Sequence, residues 1–140
     1  AVAGLVAITP ACASVSPGGS ILVGAGAAFF CYIAVTALKP AFGYDDSLDV
    51  FGVHGVGGAW GALATGLFLT YGATEGVSWG GQVLIQLGSI AFTAVFAIVA
   101  TCIILFVMKL IMGDLRVDED AEHTGLDLAE HSEAAYGPLS

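Results

Sequence analysis

Basic side chains are nearly missing: the 140 residues hold three, Lys39, Lys109 and Arg116. Phosphate binding needs a clustered Lys/Arg surface, so nucleic acid is excluded as a partner, and no basic patch offers itself to a membrane surface. Charge of either sign is absent from Ala1 to Leu38, from Val50 to Thr74 and from Gly76 to Met108. A chain that is 57% hydrophobic with uncharged runs this long cannot build the charged surface of a soluble domain. Each run can cross a bilayer, which takes about 20 apolar residues.

Further absences narrow the chemistry. The sequence has no Gly-rich phosphate loop with a following Lys, no His/Cys metal cluster and no acid pair within a span. Neither an enzyme, a cofactor nor a metal is therefore expected. Cys12, Cys31 and Cys102 lie in apolar segments without ligand or redox spacing and read as small buried side chains. No charged region precedes the first apolar run, so it is not a signal peptide. Ala1 to Ala11 is too short to cross and ends at Thr9 and Pro10, as the end of a helix whose start lies outside the sequence.

The remaining pattern is three spans and a tail. Ser16, Pro17, Gly18 and Gly19 signal a turn, and Ser20 to Leu38 then forms the first complete transmembrane helix. A polar connection from Lys39 to Ser47 follows, with Asp49 placed to cap the next helix. Val50 to Thr70 is the second span, and Tyr71 and Trp79 fit interfacial positions. Trp79 to Met108 is about 45 Å of uncharged helix at 1.5 Å per residue, against about 30 Å of hydrocarbon, so it tilts steeply or projects. Three crossings put Lys39, Lys109 and Arg116 on one side, the cytoplasmic side by the positive-inside rule. Residues 1–112 thus read as transmembrane helices and 113–140 as a cytoplasmic tail. The tail is acidic: Asp114 through Glu133 hold eight of the twelve acidic residues. It should order only against a partner.

His54 is the only ionisable group well inside a predicted span, where a charged form costs several kcal/mol. A neutral, hydrogen-bonded imidazole is expected. Bonding to a neighbouring helix would satisfy it, but intramembrane ionisable residues more often mark conduction paths. Gly58, Gly61 and Thr65 follow at helical spacings as a stripe of small residues, and Gly57 with Gly61 forms a small-xxx-small pair that plain helix packing explains. His123 and His131 sit on the polar tail and read as solvated.

Asp49-Val50-Phe51-Gly52-Val53-His54-Gly55-Val56 resembles the helix of the ammonium transporter (Amt/Rh) family that carries the second pore histidine. GLVAITPA at 4–11, GDLRV at 113–117 and GLDLAEHSEAAY at 125–136 resemble the same family in the same order. The resemblance implies an all-α integral membrane fold, this chain supplying the C-terminal helices of an eleven-helix inverted-repeat bundle that assembles as a homotrimer in the cell membrane. It implies that ammonium is deprotonated in the pore and that ammonia passes a hydrophobic channel lined by a histidine pair, of which His54 is one. Val50 resembles an apolar lining position at the cytoplasmic end. Gly125, Leu126, Asp127 and His131 fall where the tail would help a PII-type regulator dock. An ammonium sensor signalling through its tail is the alternative from another class.

Overall fold

The computed structural model describes residues 1–73 and 75–134; Tyr136, Gly137 and Pro138 of the tail lie outside them. The described residues are helical, with one isolated antiparallel bridge between Val15 and Leu69 and no strand. Two compact units divide the chain, Ala1–Val95 and Phe96–Ser140.

In the first unit, α1 (Val2–Ile8) is followed by α2 (Pro17–Ile33), which continues through a π-helical turn at Ala34–Leu38 into α3 (Lys39–Phe42). The helix starts earlier than the turn signal predicts. Ser16 accepts the Gly19 amide at 3.2 Å, and Pro17, lacking an N–H, sits at a first-turn position where none is needed. The two glycines are thereby absorbed into the first turn. Gly43, at φ 61°, ends α3 in the left-handed conformation that glycine adopts without a Cβ clash.

A second π-helical segment, Phe51–Val56, runs directly into α4 (Gly57–Leu67). The core joining α1, α2 and α4 is made of small side chains: Ala7, Ala11, Val15, Val23, Ala27 and Ala64 are buried, with Trp60 and Phe68 packed against them. Small residues let helix backbones approach closely, and here they do. A Cβ on Gly61 would overlap the Ala7 backbone, and one on Gly26 would overlap the Trp60 ring. Trp60 fills the notch at Gly26, donates its indole N–H to the Val23 carbonyl at 2.9 Å and meets the Phe30 ring at 4.7 Å between centroids. Of the three cysteines only Cys31 is buried; Cys12 and Cys102, expected to be buried, are exposed.

Helix α5 (Trp79–Met112) is a single unbroken helix of 34 residues with no buried residue. Within the first unit, the Trp79 indole donates to the Leu67 carbonyl at 3.1 Å, and Gly66 packs against Gln82, Val83 and Gln86. Among the described residues two helices are long and apolar enough to cross a membrane, the continuous stretch Pro17–Phe42 of 26 residues and α5. The helical stretch from Phe51 to Leu67 is shorter than the roughly 20 residues of a full span.

In the second unit the tail carries α6 (Glu119–Thr124) and α7 (Leu126–Ala129), separated by Gly125 at φ 97°. Arg116 braces α6, donating to both carboxylate oxygens of Glu122 at 2.7 and 3.2 Å.

Candidate functional site

The segment around His54 is a π-helix. Such wide turns are rare, appear mostly as single turns within longer helices and occur often at functional sites. Nothing in the spacing of apolar residues announces one. Its position is set from three directions.

At the N-terminal end the Asp46 carboxylate caps the segment: Oδ1 accepts the Val50 amide at 2.8 Å and Oδ2 the Phe51 amide at 2.9 Å. The cap assigned from sequence to Asp49 therefore belongs to Asp46. Asp49 instead takes the Lys39 ammonium on Oδ1 at 2.6 Å, and its backbone is left-handed, at φ 55°. A side chain held by Lys39 is drawn away from the free amides that a cap would satisfy. Tyr44 meets Phe51 edge to face, with centroids 5.6 Å apart.

Along its inner side the segment lies on α2 and the first π-turn. A Cβ at Gly52 would stand 2.7 Å from Val35 Cγ2, so only glycine fits without displacement. The Cys31 thiol donates to the Val53 carbonyl at 3.8 Å, and its Sγ is the nearest atom that a Cβ on Gly57 would meet, at 3.0 Å.

His54 itself is exposed in this chain, and among the described residues its imidazole makes no hydrogen bond. The expected bonding partner is not provided by these helices. Val50, half exposed, lies four residues earlier at the start of the same segment. The anticipated stripe of Gly58, Gly61 and Thr65 divides: Gly61 and Thr65 are buried, as is Gly57, and Thr65 donates to the Gly61 carbonyl at 2.8 Å, whereas nothing lies within 4 Å of a Cβ on Gly58. The Gly57/Gly61 pair serves packing.

Gly125, Leu126, Asp127 and His131 lie in and on either side of α7 in the second unit. Gly125 caps the end of α6 and the start of α7, and its carbonyl accepts the amides of Leu128 and Ala129 at 3.2 and 2.9 Å. The Asp127 carbonyl accepts the Glu133 amide at 2.9 Å, folding the chain back past an exposed His131. Among the described residues no group of His, Cys, Asp and Glu could hold a metal ion.

Lys39, Asp46 and Cys31 escaped the sequence reading as parts of this site. A signal existed for two of them, since Lys39 and Asp46 bracket the connection that delivers the histidine.

Comparison with known proteins agrees with the quoted motifs. A family model described as Ammonium Transporter Family matches residues 1–136. A protein of Bacillus subtilis named ammonium transporter is 46% identical over 97% of this chain and 35% of its own length. One of the same name from Aquifex aeolicus is 48% identical over 96% of this chain and 32% of its own. Ammonium transporter 1 of Schizosaccharomyces pombe is 42% identical over 97% of this chain and 30% of its own. The chain spans about a third of the length of these curated relatives.

Proposed function

The chain belongs to the ammonium transporter family, and we propose that it forms part of a membrane subunit that moves ammonium, with His54 in the conduction path. A hydrated ammonium ion is expensive to carry through an apolar pore, whereas neutral ammonia crosses at far lower cost. Separating the proton from the amine lowers the barrier. Potassium has no proton to give up and is refused.

An imidazole suits this step because one ring nitrogen donates while the other accepts, and its ordinary pKa lies near neutrality. The observation that carries the reading is the placement of His54, an exposed imidazole on a clamped π-helical segment between apolar stretches. A second histidine, outside this chain, completes the pair. Val50 lines the cytoplasmic end of the same path.

In this reading residues 1–112 contribute the end of one helix and three crossings, including the shorter one that bears His54, to an eleven-helix bundle of two inverted halves. The subunit forms a homotrimer in the cell membrane. Residues 113–140 are a cytoplasmic tail on which Gly125, Leu126, Asp127 and His131 help seat a PII-type regulator. Transport is preferred over sensing because the relatives are named as transporters.

The test is ammonium-evoked current in liposomes holding the full-length subunit, wild type against His54→Ala, at equal trimer content. Loss of current or of selectivity over potassium supports the reading. Wild-type current and selectivity in His54→Ala make the residue structural.

A further inference from the structure

We infer that Lys39 is a positioning residue for His54, acting through Asp49 and Asp46; the inference rests on the transport reading above. The Lys39 ammonium sits at 2.6 Å from both Asp49 Oδ1 and the Asp46 carbonyl. That same carbonyl accepts the Asp49 amide at 3.1 Å, while the Asp46 carboxylate holds the Val50 and Phe51 amides. One ammonium at the end of the Pro17–Phe42 helix therefore fastens both residues that start the His54 segment. The lysine side chain is 28% exposed and that of Asp49 35%, so the pair is partly withdrawn from water.

Two features mark the stretch that this clamp holds. Asp49 is a non-glycine residue in the left-handed region, a conformation that persists where surroundings impose it and that clusters at functional sites. Two residues later begins a π-helical segment, which competes with ordinary α-helix. Holding the residues just before the segment fixes the angle at which the wide turn presents the imidazole. Releasing it lets the turn relax and the ring move.

The experiment uses the full-length subunit with Lys39→Met, Lys39→Arg and Asp49→Asn. Asparagine tolerates the left-handed backbone, so it removes the ion pair alone. Amide hydrogen exchange over residues 50–56 reads the clamp, and the pH profile of ammonium-evoked current reads the imidazole. Lys39→Met and Asp49→Asn should speed exchange by roughly five- to tenfold, between the upper end for an exposed ion pair and the lower end for a hydrogen bond to a charged group. Both should lower the current and displace its pH profile in the same direction, and Lys39→Arg should restore most of both. Unchanged exchange overturns the clamp. Faster exchange with a wild-type pH profile overturns the positioning role and leaves Lys39 a packing anchor. If Lys39→Met fails to assemble, Asp49→Asn carries the same comparison. Wild-type current and selectivity in His54→Ala defeat the conduction role of His54 instead, while exchange still reports on the clamp.

Discussion

Single atoms decide much at Gly61 and Gly26. Gly61→Val places side-chain carbon against the Ala7 backbone, which cannot rotate away, so a loss of about 1–3 kcal/mol or more is expected as a lowered melting temperature of the solubilised full-length subunit. Gly58→Ala is the matched control. Its Cβ meets nothing within 4 Å in this chain, and alanine favours helix, so the melting temperature should hold or rise. His54→Ala should lower ammonium current by more than about tenfold, a barrier change above roughly 1.4 kcal/mol. His54 stands out in the sequence because an ionisable group stands alone in an apolar run. The role of Gly26 was not, since a notch filled by Trp60 depends on a neighbour 34 positions away in sequence and says nothing in local spacing.

Helix ends carry the second scale. Removing the Asp46 carboxylate by Asp46→Ala strands the Val50 and Phe51 amides and should cost about 0.5–2 kcal/mol, seen as faster exchange of those two amides. In the tail, Glu122 is held below the ordinary carboxylate value by its hydrogen bonds from Arg116, against a smaller opposing effect of desolvation. A lowered folded value means that the pair stabilises α6 fully above the ordinary carboxylate range and is lost as pH falls through that lowered value. Helix signal at residues 119–124 should therefore fall with acidification, and Arg116→Gln should weaken that dependence while the NMR titration of the Glu122 carboxyl moves up towards the ordinary carboxylate range. Element type was legible in long apolar runs, whereas element phase was not. Asp46 and Asp49 are both good caps by type, and only the course of the connection decides which one reaches the amides while the other meets Lys39.

At the scale of the molecule, the helical class and its long apolar helices were readable from charge-free runs alone, because burying backbone in lipid leaves few solutions besides the helix. The shortness of Phe51–Leu67 was not readable, as the apolar run extends beyond the helix that forms from it. Helix α5, about 51 Å long at 1.5 Å per residue, exceeds the hydrocarbon thickness of about 30 Å, so its centre and its end differ in tolerance. Ile98→Arg should cost about 3 kcal/mol of insertion, and Met112→Arg much less, in a membrane-insertion assay of the two variants. The π-helical segment has a consequence of the same breadth. In a regular α-helix successive residues turn by about 100°, so His54, Gly57 and Gly61 would share a side. The wider turn breaks that phase, sending the imidazole to the open side and the glycines towards α1 and α2. One continuous helix thereby has two surfaces that can change separately, so that substitutions around His54 need not loosen the seam by which these helices pack.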